Sequence, residues 1–306
     1  MKLAILGASS FIGRSLATRL VQEGHQVSAF VRKMNLGFGD SLGVQIEFDF
    51  QDRASWNSDF SEFDAIIHLI STSNPGSSKH NARVDTESNL LGTLDLLHVL
   101  ETSKNKRLIF ASSGGAIYGT PLSVPINEQH PTNPVSPYGV SKLAIEKYLQ
   151  IARIEFGLDY RVFRLANPYG PGQENTKGQG LIPTVIEKVL KGQSVSVWGD
   201  GSITRDYVYI DDVVEAFVQS LNYEGDERIM NIGSGKGVSV LEVVSEVESL
   251  IGQEISIDFM PERAIDPLMN VLDISLAKRE LQWNPKTDLR DGIRAAIDWK
   301  KALLDK

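Results

Sequence analysis

The chain starts with a short apolar run, Lys2–Leu6, that ends at Gly7-Ala8-Ser9-Ser10-Phe11-Ile12-Gly13 and passes straight into a helical pattern. This strand, glycine turn and helix constrain the fold more than any other feature. Gly7 permits the tight turn, and Gly13 lets the helix pack closely on the strand. The amides that open the helix then face outward with the positive end of its dipole, a place for a pyrophosphate. The middle position of such a turn is usually glycine and is Ser10 here, whose Cβ narrows the approach of a phosphate without closing it. Gly7, Ser9, Ser10, Phe11, Ile12 and Gly13 are therefore candidate cofactor-binding residues.

Short apolar runs continue to alternate with helical patterns through the first half, which predicts βαβ units on a parallel sheet. Strands are expected at Lys2–Leu6, Gln26–Val31, Gln45–Phe48, Ala65–Leu69, Arg107–Ala111 and Asp159–Leu165. Helices are expected to begin near Phe11, Thr86 and Pro137, with a shorter one near Ala54. The fold class is α/β, a doubly wound parallel sheet of the Rossmann type. A Gly/Pro-rich stretch from Asn167 to Gly180 and a helix over Ile182–Leu190 mark the start of a smaller C-terminal α/β substrate domain. A strand at Asp206–Ile210, a helix capped by Asp211 or Asp212, and a strand at Arg228–Ile232 are expected to rejoin the first sheet. The remainder reads as helix, strand and two helices. The domains are thus 1–166, rejoined by 205–232, and 167–204 with 233–306.

Composition narrows the chemistry. A formal charge of -8, from 31 basic and 39 acidic residues with no basic block, argues against an extended nucleic-acid or membrane surface. A small anionic ligand would need a local cationic pocket. The absence of cysteine excludes disulfides, thiolate metal sites and cysteine nucleophiles, and no metal site is expected. The first apolar run is far too short for a signal sequence or a membrane span, so a cytoplasmic protein is expected.

At the end of the second strand a carboxylate would accept hydrogen bonds from a ribose 2′-hydroxyl and repel a 2′-phosphate. Val31 is followed instead by Arg32 and Lys33, which favours NADP unless these are solvated loop charges. Asp49, past the third strand, is placed to touch an adenine ring or to serve as a turn residue. Phe50, Leu69 and Ser71 complete this candidate edge. Tyr138 and Lys142 stand four apart, on one face of a helix. An ammonium near the phenol lowers its pKa, so that it exchanges a proton with a sugar hydroxyl near neutral pH.

Many stretches together carry a resemblance over nearly the whole chain. They are Gly7 to Gly13, His68-Leu69, Asn89 to Thr93, Ser112-Ser113, Ile117-Tyr118-Gly119, Tyr138 to Lys142, Arg164 to Pro171, Trp198 to Gly201, Arg205 to Asp212, Asn231-Ile232-Gly233 and Arg263 through Asp273. The sequence resembles the extended short-chain dehydrogenase/reductases, specifically the nucleotide-sugar epimerase/dehydratase family, and is similar to UDP-glucose 4-epimerases. The resemblance implies that Tyr138 is the general acid/base, that Lys142 orients the nicotinamide ribose, and that Asn89 braces the cofactor cleft. It further implies that Asn167, Arg205 and Arg263 bind a substrate diphosphate, with Trp198 against the nucleotide base and Thr72 in the substrate set. Family members often form homodimers through two helices per subunit, here Thr86–Glu101 and Pro137–Phe156.

The family's serine or threonine three residues before Val/Ile-Tyr-Gly is Gly114 here, with Gly115 and Ala116 after it. Ser113, or Ser71 and Thr72 after the fourth strand, would supply the missing hydroxyl. The Asp-Glu pair of sugar 4,6-dehydratases is also absent, and the missing cysteine excludes the epimerase-reductases that make GDP-fucose. Three readings stand: a nucleotide-sugar 4-epimerase with bound NAD, working by hydride transfer at C4 through a 4-keto intermediate; an NADPH-dependent ketoreductase of 4-keto nucleotide sugars; and a non-catalytic dinucleotide-binding protein.

Overall fold

The computed structural model describes residues 1–34, 41–53, 56, 59–104, 106–174, 180–262 and 267–304. In chain order the strands are β1 (Lys2–Leu6), β2 (Gln26–Val31), β3 (Val44–Glu47), β4 (Ala65–His68), β5 (Arg107–Ser113), β6 (Asp159–Leu165), β7 (Asn167–Tyr169), β8 (Val195–Trp198), β9 (Thr204–Tyr209), β10 (Ile229–Ile232), β11 (Gly237–Ser239), β12 (Ile257–Met260) and β13 (Met269–Asn270). The helices are α1 (Phe11–Gln22), α2 (Pro75–Ser78), α3 (Ala82–Asp85), α4 (Gly92–Glu101), α5 (Pro137–Phe156), α6 (Leu181–Leu190), α7 (Ile210–Ser220), α8 (Val240–Ile251), α9 (Ser275–Glu280) and α10 (Leu289–Leu304). A π-helical stretch, Thr86–Leu91, joins α3 to α4. The helix expected near Ala54 falls on residues outside those described.

The chain divides into two compact units, the first made of Met1–Gly119, Pro131–Arg164 and Val214–Met230. Among the described residues, seven strands form one sheet in the order β10-β6-β5-β4-β1-β2-β3. β1 runs parallel to β2 and β4, β2 to β3, and β4 to β5. The chain winds outward from β1 in both directions, so the carboxyl ends of β1 and β4 meet at the switch point where such sheets bind ligands. Leu3 to Leu6 are fully buried, which is why β1 reads as an unbroken apolar run rather than an alternating one. α1 buries Leu16, Ala17 and Leu20. Leu96, Leu97 and Leu100 of α4 join Ile145, Leu149 and Ala152 of α5 in one core with the sheet.

The second unit is Thr120–His130, Leu165–Val213 and Asn231–Lys306. Here β9 pairs with β7, β11 and β13, and β8 pairs with β12. α6, α8 and α10 supply Ile182, Val185, Val243, Val247, Ile293 and Ile297 to its core. The sequence reading has therefore to be corrected at Asp206–Ile210: that strand lies outside the large sheet, and only Ile229–Ile232 joins it. Asp206 explains the difference. Its carboxylate, fully buried, accepts from the amides of Ser234 at 2.7 Å, Gly235 at 3.1 Å and Leu272 at 3.3 Å, fastening β9 to segments of its own unit. Nor do Asp211 and Asp212 cap α7. They lie in its first turn, where Asp212 accepts from the amides of Lys286 and Thr287.

Candidate functional site

Gly7 takes a left-handed backbone with φ +87°, and a Cβ on Gly13 would lie 2.3 Å from the Gly7 carbonyl oxygen. Both glycines are therefore required by the approach of β1 to α1. Ser10 caps α1 and its Oγ accepts from the Gly13 amide at 3.1 Å, so the serine in place of the usual glycine satisfies a helix-end donor. No acidic residue occupies the first turn of α1, leaving its positive end for an anion. Phe11 and Ile12 open that turn and are not among the residues that line the cavity over it.

A cavity of about 260 Å³ lies over this turn. Gly7, Ser9, Ser10, Val31, Arg32, Asp49, Phe50, Leu69, Ser71 and Thr72 line it, so most of the expected cofactor residues converge; Gln51 and Ile70 join them unanticipated. Asp49 also serves as a turn residue, accepting from the Gln51 amide at 3.0 Å. Gly13 sits beneath the turn, buried. A turn that admits no Cβ at Gly13, a helix N-terminus without acids and a lined cleft together fit a dinucleotide.

α5 carries the second half of the site. Ser136 caps it by accepting from the Gly139 amide at 3.2 Å, and Pro137 presets its first turn. A Cβ on Gly139 would stand 2.6 Å from the Ala116 carbonyl oxygen, so glycine brings this helix against the Gly114–Tyr118 segment. Lys142 is buried, donates to the Ala111 carbonyl at 2.8 Å, and lies 4.5 Å from the centroid of Phe110 and 5.8 Å from that of Tyr138. Burial lowers its pKa to about 8, against the carboxylates of Asp85 and Glu146. The hydroxyls of Ser113 and Ser71 stand close enough to the Tyr138 phenol to lower its pKa, while Ser71 Oγ donates to the Ser73 carbonyl at 2.9 Å. Burial nonetheless pushes that phenol up to about 12, the two hydroxyls pulling down and Asp85 adding to the rise. Desolvation of the phenolate outweighs the two serines in the protein alone; the sequence expectation of a lowered phenol counts the charge of an oxidised nicotinamide as well as that of Lys142.

Ser71 belongs to a loop fixed by buried polar groups. The Asn89 Oδ1 accepts from the Thr72 amide at 3.0 Å, and its Nδ2 donates to Ser73 Oγ at 3.2 Å and Asp85 Oδ1 at 3.0 Å. Asn89 thereby braces the cleft through Thr72 and Ser73. Thr72 itself, expected with the substrate set, lines the cavity over the glycine turn. His68, beneath the loop, pairs through Nε2 with Thr93 Oγ1 at 3.0 Å, and Thr93 donates to the Asn89 carbonyl. Burial holds His68 down to about 3, so it is neutral. Asp85 and Ser73 were missed in the sequence, although Asp85, Ser88 and Asn89 stand at helical spacings that bring side chains together.

In the second unit Asn167, Trp198 and Arg205 line one cavity of about 300 Å³, with Tyr207, Gln173 and Val197. The Asn167 amide donates to the Asp206 carbonyl at 2.8 Å, and the Arg205 Nη1 donates to the carbonyls of Thr204 and Pro267. These bonds fix the two polar side chains within the cavity wall. Arg263 lies outside the described residues.

Known proteins are similar to this chain over nearly its whole length. The NAD dependent epimerase/dehydratase family model matches residues 3–233. The UDP-glucose 4-epimerase of Thermotoga maritima, solved with UDP-glucose, superposes with a TM-score of 0.94 at 31% identity, covering 99% of this chain and 100% of that one. That of Thermus thermophilus, solved with NAD, gives 0.90 at 30% identity over 98% and 99%. The dTDP-4-dehydro-6-deoxyglucose reductase of Escherichia coli is 32% identical over 305 residues, 96% of this chain and 95% of the relative. With its glycine turn, its Tyr138–Lys142 helix and this match over most of its length, the chain belongs to the NAD dependent epimerase/dehydratase family.

Proposed function

We propose that the protein is a nucleotide-sugar 4-epimerase, with the first unit holding the dinucleotide and the second the nucleotide of the substrate. One observation carries the reading: a half-buried phenol, Tyr138, with the hydroxyls of Ser113 and Ser71 beside it and Lys142 one helical turn on. Tyr138 removes the proton of the sugar C4 hydroxyl and later returns it. A nicotinamide dinucleotide held by the glycine turn, with its ribose oriented by Lys142, would supply the hydride exchange at C4 of the sugar. Ser113 takes the place of the hydroxyl missing at Gly114, and Ser71 supports it. Lys142 orients the nicotinamide ribose, and the positive charge of an oxidised nicotinamide would lower the pKa of the phenol. The glycine turn and α1 hold the pyrophosphate. Asn167 and Arg205, with Arg263, take the substrate diphosphate, and Trp198 meets the base.

NAD is the cofactor this reading favours, since an epimerase recycles it in place and the T. thermophilus relative holds NAD. A UDP-hexose is the first substrate to try, in view of the relative solved with UDP-glucose. Arg32 on the cavity wall and the E. coli relative favour a second reading, an NADPH-dependent 4-ketoreductase. The deciding experiment is to purify the protein without added cofactor, denature it and identify any released dinucleotide by mass spectrometry. Near-stoichiometric NAD, with interconversion of UDP-glucose and UDP-galactose, is expected. Empty protein that binds NADPH reversibly would overturn the epimerase reading for the reductase.

We also infer a homodimer. Val140, Tyr148, Ile151 and Ile154 of α5 are exposed, as are Val84 and Leu91, with Ile154 reaching 77% exposure. Apolar side chains along two neighbouring helices suit a second copy of the same surface. Ile151→Glu with Ile154→Glu should halve the mass measured by light scattering. Among the described residues no helix is long and apolar enough to cross a membrane; we place the enzyme in the cytoplasm, where nucleotide sugars are made and a chain without cysteine is at home.

A further inference from the structure

Asp85 is a carboxylate at 1% exposure that the reaction as described does not use. Its Oδ2 accepts from Ser141 Oγ at 2.5 Å, and Ser141 precedes Lys142 on α5. Its Oδ1 accepts from Asn89 Nδ2 at 3.0 Å and from Ser73 Oγ, two residues beyond the Ser71 that stands beside the Tyr138 phenol. All three of these donors are neutral, so hydrogen bonds rather than a direct ion pair satisfy the anion. A buried negative charge is costly, and a smaller apolar side chain would avoid that cost. The ionisable groups that feel its charge are Tyr138 and Lys142 of α5; Lys142 also feels Glu146, which binds Arg164 at 2.7 Å, and His68, which is neutral, feels Lys142.

We propose that Asp85 is a positioning residue for the Tyr138–Lys142 pair: its carboxylate ties the Ser71–Ser73 loop to α5 through Ser73, Asn89 and Ser141. The inference rests on the acid/base reading of Tyr138. The direction of the field agrees at both groups, since Asp85 favours the neutral phenol and the charged ammonium. That field opposes the phenolate, so the contribution of Asp85 to rate is made through position. The same anion that raises the phenol also anchors the loop that presents Ser71 to it.

The test is a spectrophotometric titration of the phenolate band in protein saturated with NAD, with the Tyr138→Phe spectrum subtracted so that one tyrosine is followed. Asp85→Asn keeps the shape and removes the charge; the midpoint should fall by roughly one unit. kcat should fall about tenfold with KM changed less than about twofold, as expected when a transition-state interaction is weakened. Ser141→Ala removes one donor and leaves the charge less damped, so its midpoint should move the other way, upward by a few tenths. This variant replaces one small side chain by another and remains informative if Asp85→Asn does not fold. Midpoints unmoved in the folded variants, or a downward shift in Ser141→Ala, would overturn the role of Asp85 while leaving Tyr138 in place. A difference spectrum without any titration would remove the acid/base reading itself, and this proposal with it.

Discussion

Ser71, whose hydroxyl donates to the Ser73 carbonyl at 2.9 Å, stands beside the phenol of Tyr138 and lowers its pKa, linking the loop after β4 to the helix α5 across 67 positions of sequence (138 − 71). Ser113, at the end of β5, acts on the same phenol. A chain with glycine at position 114 thus surrounds its candidate acid/base with hydroxyls from two neighbouring strands. Ser113→Ala should lower kcat by about 10²-fold and Ser71→Ala by about tenfold, the losses expected for donors that stabilise charge in a transition state. The double variant should lose more than either. Tyr138→Phe should lose about 10³-fold while still binding dinucleotide, and steady-state kinetics with cofactor titration separate the two effects.

Arg32 lines the cavity over the glycine turn at the end of β2. Replacing it by aspartate places a carboxylate where a ribose 2′-hydroxyl would donate and a 2′-phosphate would be repelled. Arg32→Asp should raise the Kd for NADP at least tenfold and change that for NAD less than about threefold. Calorimetric titration of both dinucleotides would check this. An unchanged ratio would remove Arg32 from cofactor selection.

His68 is buried and held down to about 3 against an ordinary 6.5. Because its folded pKa is depressed, the unfolded chain takes up a proton first as pH falls below 6.5, and stability is lost from there toward pH 3. Between pH 6.5 and pH 5 this single group should cost about 2 kcal/mol. Urea unfolding at the two pH values should show that loss in the native sequence and a smaller one in His68→Gln.

Gly13→Ala would put a Cβ 2.3 Å from the Gly7 carbonyl, against backbone that has no side-chain freedom to yield. Overpacking of this kind costs about 1–3 kcal/mol. The variant should melt earlier and bind dinucleotide at least tenfold more weakly, since α1 must move away from β1. Thermal unfolding and cofactor titration would read both.

The sequence by itself determined the local features of this protein. Apolar runs and helical periods mark β1, β2, β6 and α5 to the residue and the start of α1 near Phe11, because strand burial and helix caps depend on near neighbours such as Ser10 with Gly13 and Ser136 with Gly139. The four-residue spacing of Tyr138 and Lys142 is equally local. Only the tertiary structure decided what surrounds that pair. The adjacency of β4 and β5 in a parallel sheet brings Ser71 and Ser113 to one phenol, and Asp85 reaches Ser141 across 56 positions of chain. It also decided that β9 leaves the large sheet, through the buried carboxylate of Asp206. Hydrogen bonds between distant segments depend on strand order and on desolvation, which no window of sequence contains; the same desolvation sets Tyr138 at about 12 where the spacing alone pointed lower.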